Sequence, residues 1–115
     1  MLSRSHRFHG LGSLRGVYRR GNTIRGPLFA VKYQQNPRRG TYRAAIVVSR
    51  KVHKSAVARN RMRRRLYELV RELEGQINGP YDIVITVYQD SLLGEPAASL
   101  RGQLKKQFKD AGIIR

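Results

Sequence analysis

Residues Ser55–Glu74 read SAVARNRMRRRLYELVRELE and carry the strongest periodic signal in the chain. Their large apolar side chains recur at intervals of three and four residues, which places them on one face of an α-helix. This stripe consists of Met62, Leu66, Leu69, Val70 and Leu73. Serine is a favoured N-cap residue, and Gly75 follows the stripe where a helix can end. We therefore predict one long helix that packs its apolar face against the rest of a domain.

The charged residues of this predicted helix stand in an unusual order. Five arginines lie in its first part, namely Arg59, Arg61, Arg63, Arg64 and Arg65. Three carboxylates lie toward its end, namely Glu68, Glu72 and Glu74. The helix dipole favours the opposite order, by about 0.3–1 kcal/mol for each well-placed charge. A bound polyphosphate would explain the arrangement, because backbone N–H groups and arginine side chains would converge on the same anions. The alternative is a solvated face on which Arg64 and Arg65 pair weakly with Glu68.

A second group of cations precedes the predicted helix. Arg50, Lys51 and Lys54 stand in the loop between the helix and the strand before it. At about 100° per residue, Arg59 lies at the border of the apolar stripe and Arg64 points nearly opposite to the stripe. The sequence therefore predicts one continuous basic surface around the start of the helix.

Two predicted strands precede the helix and one follows it. Residues Tyr42–Ser49 contain three consecutive β-branched residues, and residues Leu28–Gln34 alternate between two sets of side chains, as a strand does. Turn-forming residues separate these two segments, and a hairpin between them is the simplest pairing. Downstream, Asp82–Tyr88 reads as a strand that is buried on both faces.

Helices are predicted near both ends of the chain. A short one spans Ser13–Arg20 and ends at Gly21, and a last one begins near Pro96 and buries the residues Leu100, Leu104 and Phe108. The predicted fold class is α+β, a single-domain sandwich of a roughly four-stranded mixed sheet with helices. The element order is α-β-β-(β)-α-β-α. We expect one RNA-binding domain over residues 1–115, with residues 1–12 flexible.

The composition indicates the kind of partner. The chain has 115 residues, with 24 Lys and Arg against 7 Asp and Glu, a formal net charge of +17. This excess is far larger than solubility requires and favours a polyanion such as RNA, which relieves the repulsion and releases counterions. A membrane is the weaker alternative, because no apolar run approaches the 18 or so residues that span a bilayer. Cysteine is absent and residues 1–10 lack a secretory signal, so we expect a cytoplasmic protein.

Metal-assisted hydrolysis by the protein itself is disfavoured by the sequence. Such chemistry needs carboxylates or histidines gathered in one place. Here Asp82, Asp90, Glu95 and Asp110 are scattered along the chain. His6, His9 and His53 lack metal-ligand spacing, although the first two are one helical turn apart. We therefore predict no catalytic residue, no metal site and no cofactor on the protein.

The loop and helix carry a recognisable string. Residues 49–52 read SRKV and residues 56–66 read AVARNRMRRRL, with the core Arg59-Asn60-Arg61. This string resembles the signature of the protein subunit of bacterial ribonuclease P. Three positions depart from the family's pattern. His53 stands where an apolar residue or glycine is commoner, Tyr67 replaces a basic residue, and Leu14 replaces an aromatic one.

The resemblance implies an accessory subunit of a ribonucleoprotein endonuclease. A large catalytic RNA, which uses Mg²⁺, would remove the 5′ leader from precursor tRNA, and these two RNAs would be the partners. No membrane or protein partner is implied. The implied fold is the ribosomal protein S5 domain 2-like fold with a left-handed βαβ crossover. The implied RNA-binding residues are Arg50, Lys51, Lys54, Arg59, Asn60, Arg61, Arg63 and Arg64. The implied leader cleft contains Tyr18, Phe29, Lys32 and Tyr33.

A second reading shares the charge and the fold class. A ribosomal or general RNA-binding protein without a role in cleavage would differ only in its target RNA. Net charge does not separate the two readings, whereas the Arg-Asn-Arg string favours ribonuclease P.

Overall fold

The computed structural model describes residues 2, 4–8 and 11–115. The α-helices within these residues are α1 (Leu11–Arg20), α2 (Ala56–Leu73) and α3 (Ala97–Ala111). The strands are β1 (Asn22–Arg25), β2 (Phe29–Gln35), β3 (Arg43–Val48) and β4 (Tyr81–Val87). Short 3-10 turns span Arg4–His6, Glu74–Gln76 and Asp90–Gly94. The α+β class and the predicted element order are confirmed, and β1 supplies the additional strand.

The strands form one mixed sheet in the order β1-β2-β4-β3. β2 is antiparallel to β1 and to β4, whereas β3 is parallel to β4. The predicted hairpin between β2 and β3 is therefore wrong, because β4 lies between them. β4 takes this inner place because Ile83, Val84 and Ile85 are apolar on both of its faces and are fully buried there. β3, with residues 45 and 47 half-buried, lies at the edge.

The main core lies between one face of the sheet and the helices α2 and α3. The predicted stripe of α2 is buried throughout, and so are Leu100, Leu104 and Phe108 of α3. Phe29 and Val31 of β2 are fully buried in the same core. The 3.6-residue pattern of both helices is thus confirmed as the pattern of the core.

Helix α1 lies on the opposite face of the sheet, over β2 and β4. Val17 is its fully buried contact residue. The helix ends where the N–H of Gly21 donates to the carbonyl of Val17 at 2.8 Å. A Cβ at position 21 would lie 2.5 Å from that carbonyl oxygen and 3.0 Å from the carbonyl oxygen of Tyr33. Glycine at this position therefore allows α1 to turn directly into the sheet.

The described residues before α1 contact the domain. Leu2 is buried, and the ring of His6 stacks on that of Tyr42 with 4.1 Å between centroids. The Arg39 guanidinium donates to the carbonyl of Ser5 at 2.7 Å. The flexibility expected for residues 1–12 stays a prediction. Residues 1, 3, 9 and 10 lie outside the described residues, so the structure does not describe the spacing of His6 and His9. No described helix is both long and apolar enough to cross a bilayer.

Candidate nucleic-acid interface

The start of α2 is fixed by local hydrogen bonds. The Ser55 hydroxyl accepts from the N–H of Ala58 at 3.2 Å, as an N-cap residue does. His53 Nδ1 accepts from the N–H of Ser55 at 3.1 Å. His53, one of the departures from the family string, therefore orders the loop that leads into the helix.

Arg59 holds the same loop from the helix side. Its guanidinium donates to the carbonyls of His53 at 3.0 Å and Lys54 at 2.9 Å. The loop that it holds presents the exposed side chains of Arg50, Lys51 and Lys54. Arg59 was predicted to bind RNA, and the structure gives one of its nitrogens a second task, which is to position the loop.

The remaining residues of the string face outward. Asn60, Arg61 and Arg64 are exposed, whereas Arg63 is half-buried and donates to the Asn60 side-chain oxygen. Together with the loop cations these residues form one surface, which we call the basic surface. It consists of Arg50, Lys51, Lys54, Asn60, Arg61, Arg63 and Arg64. The structure brings Asn60, Arg63 and Arg64 together around one cavity, and RNA binding by the predicted patch, which also included Arg59, stays a prediction.

Arg65 belongs to the arginine run but not to the basic surface. Its guanidinium donates to the carbonyl of Leu92 at 2.6 Å, that of Leu93 at 3.0 Å and that of Glu95 at 2.5 Å. It thereby fastens the turn between β4 and α3 to the side of α2. This role was not visible in the sequence, because the three acceptors are backbone groups about 30 residues away.

Tyr67 closes the edge of the sheet. Its hydroxyl accepts a hydrogen bond from the N–H of Ile46 on the edge strand β3 at 3.2 Å. A cavity of about 410 Å³ lies beside it, lined by Asn60, Arg63, Arg64 and Tyr67. The tyrosine that replaces a basic residue of the family string thus makes a contact between α2 and β3.

The carboxylates at the end of α2 contact neighbouring elements. Glu72 accepts from Arg101 of α3 at 2.8 Å, and this guanidinium holds the pKa of Glu72 below its usual value. Glu74 accepts from the hydroxyl of Tyr42 at 2.7 Å. Burial, and then this hydrogen bond, raise the pKa of Tyr42 well above its usual value. Tertiary contacts therefore account for the acidic end of the helix, and the arginine-rich start remains as the feature that indicates an anion.

Two of the four residues predicted to form a leader cleft, Tyr18 and Lys32, lie close together, and leader binding itself stays a prediction. Tyr18 of α1 is 38% exposed, and the Lys32 ammonium lies 5.6 Å from its ring centre. The Tyr18 hydroxyl lies 3.4 Å from the Thr86 hydroxyl, so the ring stands over this part of the sheet. Alternation along β4 puts Thr86 and the exposed Tyr88 on this face. The sequence analysis missed both, because alternation groups them on one face of the strand but does not show which face lies under α1.

Phe29 and Tyr33 do not belong to this cleft, and their predicted place beside Tyr18 is wrong. Strand alternation puts residues 29, 31 and 33 on the face that packs against α2 and α3, opposite to Lys32. Phe29 is 0% exposed, so no base can reach it. Tyr33 packs against the core and tilts against Tyr81, with 6.4 Å between ring centroids. The described residues bring together no group of three His, Cys, Asp or Glu.

Comparisons with known proteins agree with this geometry. The Ribonuclease P family model matches residues 2–112. The ribonuclease P protein component of Gluconacetobacter diazotrophicus is 33% identical over 115 residues, which covers 98% of this chain and 97% of that protein. That of Synechococcus elongatus is 34% identical and covers 98% and 95%. That of Chloroflexus aurantiacus is 31% identical and covers 98% and 82%.

Solved structures show the same fold. The RNase P protein of Staphylococcus aureus superposes with a TM-score of 0.83 at 21% identity, covering 96% of this chain and 98% of that one. The RNase P protein of Thermotoga maritima gives a TM-score of 0.80 at 23% identity, covering 90% and 96%. Sequence string, fold, family model and relatives agree: the chain belongs to the ribonuclease P protein component family, whose members work with the ribonuclease P RNA in tRNA 5′ processing.

Proposed function

We propose that the chain holds the catalytic RNA of ribonuclease P through the basic surface and the 5′ leader of precursor tRNA through the cleft at Tyr18. The observation that carries the first part is the exposed pair Arg61 and Arg64 on α2, beside a cationic loop that Arg59 holds in place. Phosphates bound here would neutralise cations that the helix dipole disfavours. Each phosphate contact also releases counterions, which makes the binding depend on salt.

The cleft suits a single strand. The exposed Tyr18 ring offers a face on which a base of any sequence can stack, and the Lys32 ammonium beside it can neutralise the adjoining phosphate. The Tyr18 hydroxyl also lies within 3.4 Å of Thr86, but the ring, and not this contact, provides the stacking surface. This arrangement supports binding of leaders without a fixed sequence.

We assign the cleavage chemistry to the catalytic RNA and to Mg²⁺ ions bound by that RNA. This assignment is supported by what the carboxylates of the protein do. Asp82 pairs with Arg43, Glu72 with Arg101, and Asp110 with Lys106. These groups are spread over the sheet and two helices and are engaged with cations, which is unlike a site that gathers carboxylates around a metal.

Reconstitution tests the proposal. The purified protein, the catalytic RNA of the same organism, and both together are incubated with precursor tRNA over a magnesium series. We expect no cleavage by the protein alone, and cleavage by the complex at lower magnesium than the RNA alone requires. The Glu72→Gln variant is a matched control because its carboxylate binds Arg101. Loss of the chemical step in a folded Glu72→Gln complex would contradict the accessory role.

A binding experiment with the same protein and catalytic RNA distinguishes the proposal from a general RNA-binding function. Binding is measured against the catalytic RNA and against ribosomal RNA of equal length at one salt concentration. Clear preference for the catalytic RNA supports the proposal. Equal affinity for both, with no effect on cleavage, supports the general RNA-binding protein instead.

A further inference from the structure

A polar cavity of about 500 Å³ lies on the side of α1 that faces away from Tyr18. Residues of α1, of the strands and of the β2–β3 connection line it, among them Gly12 and Arg20 of α1, Gln34 of β2 and Arg38 of the connection. We call it the α1 pocket. On the helix, Arg20 lies about 160° around the axis from Tyr18, since successive residues are about 100° apart. The α1 pocket and the Tyr18 cleft therefore flank α1 on opposite sides. The volume of the α1 pocket is in the usual range of ligand sites.

The floor of the α1 pocket is closely hydrogen-bonded and electrically neutral. The strand register places Arg43, Asp82 and Gln34 side by side on β3, β4 and β2. The Arg43 guanidinium donates to both carboxylate oxygens of Asp82, at 2.8 and 2.7 Å, and both side chains are buried. The Asn36 amide donates to the same carboxylate at 3.0 Å. The charge of the pocket therefore comes from Arg20 and Arg38.

Three polar side chains of the α1 pocket are available to a ligand. Over the described part of the chain, the guanidiniums of Arg20 and Arg38 and the amide of Gln34 make no hydrogen bond to a protein group. The neighbouring amides are engaged, since Gln35 donates to the Tyr81 hydroxyl and Asn36 to Asp82. Two cations and one amide thus converge on one cavity without partners.

The two inner glycines of α1, Gly12 and Gly16, have different surroundings. A Cβ at Gly12, which lines the pocket, would meet nothing within 4 Å, whereas a Cβ at Gly16 would lie 2.8 Å from the Arg20 guanidinium and 3.9 Å from the Gln34 amide. Glycine inside a helix is less favourable than alanine, so stability does not explain Gly16. The close approach of the Arg20 guanidinium to the Gly16 backbone explains it, and this contact sets where Arg20 stands at the pocket.

We propose that the α1 pocket binds one unstacked RNA nucleotide, with Arg20 and Arg38 on its phosphates and the Gln34 amide on its base edge. The proposal rests on the RNA-binding function given above and adds a second contact at the other end of the sheet. Asp82 and Thr86 mark the two ends on β4, four residues and about 13 Å apart. An amide makes two hydrogen bonds to adenine, which makes adenine the preferred base.

Matched charge variants test the proposal. Arg20→Gln and Arg38→Gln are compared with Lys105→Gln, which removes one charge from an exposed position of α3. Two binding steps are measured over a salt series. The first is binding of the protein to the catalytic RNA, and the second is binding of the assembled complex to precursor tRNA. We expect each pocket variant to weaken one of these two steps about three- to tenfold and to lower its salt slope by about 0.7–0.9. Lys105→Gln should change either step less than about twofold.

A glycine pair gives an independent check on the shape of the pocket. Gly16→Ala moves Arg20 and narrows the pocket, whereas Gly102→Ala in α3 places its Cβ in open space. Both changes favour the helix, so neither should lower the melting temperature. We expect only Gly16→Ala to weaken the RNA step that Arg20→Gln weakens.

Cross-linking identifies the source of the nucleotide. The chain has no cysteine, so Gln35→Cys at the pocket and Ala98→Cys on α3 each give a single site for a photoreactive label. A cross-link from position 35 alone, to the catalytic RNA or to the precursor, names the source and supports the proposal. Changing that nucleotide should weaken binding by wild type but not by Gln34→Ala.

The proposal fails if Arg20→Gln and Arg38→Gln behave like Lys105→Gln while Arg61→Ala still loses affinity. In that case the basic surface binds RNA and the α1 pocket does not. It also fails if positions 35 and 98 cross-link equally. Failure of the function itself gives a different result, because wild-type protein would then show no preference for the catalytic RNA.

Discussion

The guanidinium of Arg65 on α2 donates to the carbonyl of Leu92 at 2.6 Å, across 27 residues of sequence. Arg64, the residue before it, is exposed on the basic surface. Two adjacent arginines of one string therefore differ in their surroundings: Arg65 contacts the protein itself, and Arg64 faces the solvent. Their substitution should separate folding from RNA binding.

We expect Arg65→Ala to lower the free energy of unfolding by about 2 kcal/mol. Hydrogen bonds to a charged donor are worth about 1.5–3 kcal/mol each, and the freed carbonyls regain part of this from water. Urea unfolding measures the change. In buffer without denaturant, where the variant is folded, Arg65→Ala should lower the affinity for RNA less than Arg64→Ala does. Unchanged stability of Arg65→Ala would show that the turn after β4 does not depend on this contact.

For Arg61→Ala and Arg64→Ala we expect the reverse pattern. Thermal stability should stay the same or rise, because each arginine opposes the helix dipole by about 0.3–1 kcal/mol. Affinity for the catalytic RNA should fall, and the salt slope should decrease by about 0.7–0.9 for each lost contact. Higher magnesium should partly restore cleavage by screening the same phosphates. If both variants melt far below wild type and magnesium restores nothing, these arginines are structural.

Replacing Tyr18 should affect precursor tRNA more than mature tRNA. We expect Tyr18→Ala to weaken precursor binding by about 1–3 kcal/mol for the base that stacks on it. Tyr18→Phe keeps the ring and removes only the contact to Thr86, so it serves as the control and should bind nearly as wild type. Equal weakening of both tRNAs by Tyr18→Ala would assign this ring to packing between α1 and the sheet.

The pair Arg43–Asp82 should be sensitive to the loss of either member. Asp82→Asn leaves the Arg43 guanidinium buried with a neutral partner, and breaking a buried pair costs about 3–5 kcal/mol. Asp90→Asn, at an exposed position, is the control and should change stability by less than about 0.5 kcal/mol. Equal stability of the two variants would mean that the floor of the α1 pocket tolerates an unpaired charge.

The contact between Glu72 and Arg101 gives a defined pH dependence. Arg101 lowers the pKa of Glu72 in the folded protein, so the stabilisation is present above the ordinary glutamate pKa of about 4.3 and is lost as the pH falls through the folded value. Melting temperatures of wild type and Glu72→Gln should therefore differ near pH 7 and converge in acid. The difference is small, because both side chains are about half exposed, at 46% and 49%. A constant difference at all pH values would contradict this origin.

Local patterns in the sequence predicted the helices, three of the strands and the basic surface. They did not predict the strand order, because the pairing of β4 with both β2 and β3 depends on contacts some 40 to 60 residues apart in the chain. For the same reason, the sequence did not show that Arg65 contacts the protein while Arg64 is exposed, because the acceptors of Arg65 are distant backbone groups. The wrong assignment of Phe29 is different. Alternation shows which residues share a face but not which face the core covers.

The hydrogen bond from Ile46 to Tyr67 also bears on how the protein behaves when no RNA is present. β3 is an edge strand, and outward N–H groups on such a strand can pair with a strand of another molecule. Tyr67 occupies one of these donors, and the length of α2 runs beside the strand. The helix that carries the basic surface thus occupies one backbone donor of the sheet edge, which leaves fewer hydrogen bonds for a strand of another molecule to make there.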